Sequence, residues 1–201
     1  GAMKSGSDPG PQGIYIHVPY CSGKCLYCGF CSVRSASDDS WYKYPRALMG
    51  EMELAIPMKL EVGTVYFGGG TPTVLSAGKL MEMLEALRMR TALAPDAEIT
   101  LEANPEGLHR PALVSLLRVG FNRISVGVQA FEDRTLSLLG RRHTSRTARS
   151  AVLLARDAGF DNVGVDLIYG IPGQTAERLR ESLERTLELQ PEHISCYALT
   201  L

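Results

Sequence analysis

Six short segments rich in β-branched and aromatic residues recur along the chain, and between them lie stretches of helical periodicity. The strand-like segments are 13–18, 64–67, 98–102, 123–128, 163–168 and 193–199. This alternation restricts the fold severely. Strands separated by helices pair in parallel through right-handed crossovers, and the helices cover the outside of the sheet. Six strands are too few to close an eight-stranded barrel, so the sequence predicts an α/β fold, an open parallel (β/α)6 three-quarter barrel. Parallel α/β barrels carry their chemistry at the C-terminal ends of the strands, so the residues following each segment are the candidates for function.

The helical stretches have readable boundaries. Ser76 is placed to cap a helix that buries Leu80, Met83, Leu84 and Leu87. Leu113, Leu116 and Leu117 line a shorter helix closed by Gly120, and Thr144 caps one that uses Ala148, Ala151, Val152 and Ala155 before Gly159. Thr175 caps a last helix, expected to bury Leu179, Leu183 and Leu187 before Pro191. The first connection holds a helix near 40–55 around Trp41, Tyr42, Leu48 and Met52.

Composition excludes several classes of function. At 201 residues the chain has room for one domain, which would bury on the order of 70% of its unfolded surface. The net charge of −1 gives no general attraction to nucleic acid or to an anionic membrane. No apolar run approaches the roughly 20 residues that span a bilayer. Gly1-Ala2-Met3 reads as an expression scar, so 1–12 is expected to be a disordered N-terminus and 13–201 the folded domain.

The loop after the first segment carries cysteines at 21, 25 and 28, a C-x3-C-x2-C spacing, with Cys31 close behind. Three thiolates on one short loop can hold three corners of a cubane iron–sulfur cluster and leave the fourth iron free of protein. A zinc site on Cys21, Cys25, Cys28 and Cys31 is the alternative, although zinc motifs usually come as two separated pairs. Disulfides fit less well with an odd count of 5 cysteines crowded into one loop. Reduced cysteines predict a cytoplasmic protein. Cys196, in an alternating strand, reads as a small buried hydrophobe.

Other strand ends carry candidates whose isolated signals are weak. Gly68-Gly69-Gly70-Thr71 follows the second segment, and it fits either a tight turn or a close approach of backbone to ligand. Glu102 ends the third and can cap, be solvated or accept two hydroxyls. Gln129 ends the fourth with both a donor and an acceptor. Arg141 and Arg142 form either a solvated face or a fork for a carboxylate. Asp166 lies in an apolar strand, where a carboxylate needs a partner whether its role is structural or functional.

Taken together, these segments resemble the radical S-adenosylmethionine (SAM) superfamily, whose hallmark is the same cysteine spacing with an aromatic residue, here Tyr27, before the last cysteine. GIYIHVPYCSGKCLYC, YFGGGTPT, LEANPE, SVGVQAF, LGRRHT and DLIYGIPGQT are similar to one branch of it, containing oxygen-independent coproporphyrinogen III oxidase and a heme chaperone. The resemblance implies a [4Fe–4S] cluster on Cys21, Cys25 and Cys28. It also implies SAM contacts from Tyr15, Gly69, Gly70, Thr71, Glu102, Gln129, Arg141 and Asp166. It further implies reductive cleavage of SAM to a 5′-deoxyadenosyl radical, an electron donor of the reduced flavodoxin or ferredoxin type, and a tetrapyrrole partner. That partner is heme for the chaperone, and coproporphyrinogen III, decarboxylated at its propionates, for the oxidase.

Details within the branch favour the chaperone. The oxidase follows the third ligand with one residue and then an extra cysteine, whereas this chain follows Cys28 with Gly29 and then Phe30, the aromatic seen in the chaperone. Arg142-His143-Thr144 is also chaperone-like. Cys31 departs from both patterns and is left out of the ligand set. Both relatives extend beyond a sixth strand, so the chain reads as the core portion of a longer protein. Its last segment is expected to be an uncovered edge, with Leu199 and Leu201 nearby and a tendency to self-associate.

Overall fold

A computed structural model of the chain describes residues 10–34 and 40–200. The expected scar and Leu201 lie outside the described residues, and β1 begins at Gln12, one place before the expected segment. The strands are β1 (Gln12–Val18), β2 (Leu60–Gly69), β3 (Thr91–Ala103), β4 (Arg123–Gln129), β5 (Asn162–Tyr169) and β6 (His193–Ala198). They form one parallel sheet in the order β1-β2-β3-β4-β5-β6. Sheet order is chain order, so each crossover returns the chain beside the strand it has just left. Among the described residues β1 and β6 remain edges, and the sheet is an open, curled partial barrel, as the alternation predicts.

Helices α1 (Ser40–Ala55), α2 (Ala77–Arg90), α3 (Arg110–Val119), α4 (Asp133–Leu138), α5 (Ser145–Ala158) and α6 (Ala176–Glu188) cover the outside. Their ends follow local chemistry. The side chains of Ser76, Thr144 and Thr175 accept from the backbone N–H three residues on. Gly120 and Gly159 close α3 and α5 in the left-handed conformation. Leu80, Met83, Leu84 and Leu87 of α2 are fully buried against the sheet, as are Ala148, Val152 and Ala155 of α5. Phe67 of β2 meets Phe121 edge-on, with ring centroids 5.1 Å apart.

Three expectations need correction. β3 starts at Thr91, although 91–97 contains Pro95 and Asp96 and reads as loop. Its first residues pair with 60–62 of β2, and a register break at Val62/Thr64 then resumes the ladder at Glu98, so the proline falls where pairing is interrupted. In α6 the buried positions are Ser182 and Thr186, with Leu189 just beyond, while Leu187 is exposed. Leucines four apart drift around a helix of 3.6 residues per turn, and the small hydroxyl side chains let α6 settle on Phe131, whose N–H reaches Ser182 Oγ at 3.5 Å. Cys196 is exposed because β6 is a sheet edge.

Candidate functional site

A cavity of about 550 Å³ opens at the C-terminal ends of the strands. One wall is the loop between β1 and α1. A short parallel ladder, Tyr20–Cys21 with Val33–Arg34, ties the two ends of this loop together. Leu26 N–H donates to Leu139 O at 3.1 Å, fixing the middle of the loop against the end of α4. His17 Nε2–H donates to Cys31 O at 2.8 Å, because a carbonyl can only accept. Cys21, Cys25 and Cys28 are free thiols that line the cavity, and Cys31 is exposed outside it.

The other walls come from later strand ends. After β2, Gly70 N–H donates to Val18 O at 2.8 Å and Thr71 N–H to Tyr20 O at 2.7 Å. A Cβ on Gly70 would lie 2.4 Å from Tyr20 O, so the glycine run admits the backbone of the cysteine-bearing segment. Glu102, at the end of β3, accepts from Tyr66 OH at 2.8 Å and from Gly69 N–H at 3.1 Å. Gln129 ends β4 at φ 69° after a register shift, a bulge of the kind that re-aims a side chain at a sheet rim. Asp166 on β5 accepts from Ser125 Oγ at 3.1 Å and from Ser195.

Arg141 is the hub. Its Nη2 donates to Gly127 O at 2.6 Å and Asn104 Oδ1 at 2.9 Å, and its Nη1 lies 3.6 Å from Cys25 Sγ. Its Nε is buried with no acceptor among the described residues. Burial alone would favour the neutral form, but Tyr27, Cys25 and Glu106 outweigh it and hold the guanidinium cationic. The far side of the cavity is acidic. Burial pushes the Glu102 and Asp166 carboxyls above the usual range; Tyr66 and Gly69 partly offset this for Glu102, and Ser195 and Ser125 for Asp166. Just behind Arg141, His143 is buried between Val128 O, 3.0 Å away, and the Glu106 carboxylate, 3.5 Å away.

The structure therefore brings Cys21, Cys25, Cys28, Gly69, Gly70, Thr71, Glu102, Gln129, Arg141 and Asp166 to one cavity. Tyr15 is not in its lining. It stacks on Tyr66 at 6.0 Å and lies beside Gly68, below the rim. Asn104, Tyr66, Ser125 and Ser195 escape the sequence reading. Asn104 had a signal, standing two places after Glu102 at the same strand end. The hydroxyl partners had none, because they meet their acids across strands.

The donor set suits an iron–sulfur cluster. Arg141 Nη1 and Thr71 Oγ1 stand 3.6 and 3.1 Å from two of the three sulfurs, and such contacts stabilise metal-bound thiolates. Among the described residues no three His, Cys, Asp or Glu side chains converge closely enough to hold a single metal ion. A cubane requires a wider spread, because each thiolate binds a different iron. A cation beside the thiols and two acids opposite also match a ligand carrying a carboxylate at one end and hydroxyls at the other.

Comparison with known proteins places this arrangement. Residues 15–186 match the Radical SAM superfamily, and the chain belongs to it. Within the superfamily it falls in the branch of the heme chaperone HemW and coproporphyrinogen III oxidase. It is 39% identical over 193 residues to the heme chaperone HemW of Escherichia coli (strain K12), covering 95% of this chain and 51% of that protein. To the heme chaperone HemW of Bacillus subtilis (strain 168) it is 37% identical over 193 residues, covering 94% and 50%. Its fold is similar to that of coproporphyrinogen III oxidase (HemN) from Escherichia coli, a radical SAM enzyme. The TM-score is 0.85 at 32% identity, over 94% of this chain and 44% of that one. The chain thus spans about half the length of the curated relatives it matches. Membership in the superfamily implies a [4Fe–4S] cluster and SAM. Among the described residues no helix is long and apolar enough to cross a membrane.

Proposed function

We propose that Cys21, Cys25 and Cys28 hold a [4Fe–4S] cluster with SAM beside it, and that residues 13–201 act as the radical SAM core of a cytoplasmic heme chaperone. The observation that carries this reading is the convergence of three free thiols, Arg141 and two half-buried acids on one cavity. When bound, the cluster and SAM supply one-electron chemistry, with a reduced flavodoxin- or ferredoxin-type protein as electron source. The chain's own residues position the ligands. Glu102 accepts from the ribose hydroxyls, Arg141 pairs with the methionine carboxylate, and Gln129 and Asp166 complete the polar wall. Gly69, Gly70 and Thr71 offer backbone and hydroxyl to the amino end, and Tyr15 supports the wall from below.

Similarity to the heme chaperones supports heme as the cargo. Phe30, 67% exposed, lines the cavity and is free to meet a flat apolar ligand. His143 and Thr144 carry less weight for heme, since one is buried behind Arg141 and the other caps α5. A second reading, coproporphyrinogen III oxidase, is favoured by the TM-score of 0.85 to that enzyme.

Anaerobic reconstitution should yield about four irons and four sulfides per chain. Alanine at Cys21, Cys25 or Cys28 should abolish the cluster, and Cys31→Ala should keep it. Stoichiometric zinc without iron would sink the assignment. Heme titration of the loaded protein, beside an assay with dithionite, SAM and coproporphyrinogen III, separates the two readings. Stoichiometric heme without decarboxylation supports the chaperone, and robust decarboxylation the oxidase.

A further inference from the structure

Between the cysteine loop and Arg141 runs a connected set of hydrogen bonds that the proposed cofactor contacts leave unexplained. Asn104, after β3, bridges two groups that each face a cysteine. Its side chain lies 2.9 Å from Thr71 Oγ1 and 2.9 Å from Arg141 Nη2. Thr71 Oγ1 is in turn 3.1 Å from Cys21 Sγ, and Arg141 Nη1 is 3.6 Å from Cys25 Sγ. One amide thus connects two of the three thiols through two intermediaries.

The donor directions follow from chemistry. A guanidinium only donates, so the amide oxygen must face Arg141 and the NH2 must face Thr71. The NH2 then occupies a lone pair of the Thr71 hydroxyl. A threonine hydroxyl has a single hydrogen, and a metal-bound thiolate only accepts. The Thr71 hydrogen is therefore left for Cys21 Sγ. At its other end Asn104 helps fix the guanidinium whose second nitrogen lies against Cys25 Sγ. Thr71 is 4% exposed, so little water competes for these bonds.

We infer that Asn104 is a positioning residue: it aims the Thr71 hydroxyl and the Arg141 guanidinium at the sulfurs of Cys21 and Cys25, and thereby sets the reduction potential of the cluster. The inference rests on the proposed cluster assignment. Hydrogen bonds to cluster sulfurs stabilise the reduced, more negative state and raise its potential. Removing the bridge frees the hydroxyl to rotate and loosens the guanidinium, so the potential falls.

The test is a redox titration, followed by electron paramagnetic resonance, of anaerobically reconstituted protein without SAM. It compares the parent, Asn104→Leu, Thr71→Val and the double variant. Each single variant should keep the parent's iron and sulfide content and have a more negative midpoint. The double variant should shift by less than the sum, because both changes remove the same Thr71–Cys21 bond. If Asn104→Leu fails to load, Asn104→Asp enters the same cycle. Its carboxylate keeps Arg141 but captures the Thr71 hydrogen, so its shift should shrink in the Thr71→Val background. A strictly additive pair, or Asn104 variants with the parent's potential, would overturn the inference alone. A parent that takes up no cluster overturns the cluster assignment with it.

Discussion

Glu102 sits where a carboxylate costs stability. Burial raises its pKa, the hydrogen bonds from Tyr66 and Gly69 offset part of that, and Asp166 adds repulsion. A carboxyl whose folded pKa lies above its unfolded one destabilises the native state at pH above both values, and the cost shrinks as pH falls through the folded pKa and is gone below the unfolded one. Glu102→Gln removes the charge: its one amide oxygen can accept from Gly69 N–H, and its NH2 can donate to the Tyr66 hydroxyl, which then acts as acceptor. We therefore expect a higher Tm than the parent at neutral pH, a difference that closes on acidification, and weaker SAM binding. A lower Tm at neutral pH that does not vary with pH would contradict this account. Arg141→Ala should cost roughly 1.5–3 kcal/mol of SAM affinity by calorimetry, the worth of a hydrogen bond to a charged group. Unchanged affinity would mean that the guanidinium serves the loop alone.

At the scale of elements, local chemistry was legible and contacts between distant segments were not. The caps at Ser76, Thr144 and Thr175 and the left-handed glycines 120 and 159 could be read because each acts within four residues of itself. Glu102 and Gln129 were legible for the same reason: once strands are placed, the ends are placed, and Asp166 was legible as the carboxylate within an apolar strand. By contrast, the early part of β3 looks like loop and becomes strand only because 60–62 of β2 lies beside it. The α6 leucines misled because Phe131, which selects the buried face, comes from another element. Asn104 is similar, since its significance lies in Thr71 and Arg141. The cap on α5 provides a measurable case. Thr144→Ala loses the acceptor for Thr147 N–H and should cost about 1 kcal/mol in denaturant unfolding. A change within error would mean that Asp133, which accepts from Ser145 N–H at 2.7 Å, and the His143–Glu106 contact fix this helix start without the cap.

For the whole molecule, the open sheet has a consequence in solution. β6 pairs only with β5 among the described residues, and Tyr197 and Cys196 on it are exposed. An unpaired edge bearing an exposed aromatic invites another strand, so this chain should self-associate, and Tyr197→Lys should suppress it. Sedimentation velocity over a concentration series decides the matter, and a monodisperse monomer at every concentration would refute it. The match between sheet order and chain order also bears on biogenesis. Each β/α unit docks on the one made just before it, so the chain can fold as it leaves the ribosome, from the N-terminus onward. Cys25 emerges 116 positions ahead of Arg141, which lies against it in the finished protein. During synthesis the thiols stand open to iron and sulfide donors until β4 and the start of α5 arrive. Loading before that moment meets the loop alone, and loading afterwards meets it as one wall of the finished cavity, with Arg141 beside Cys25.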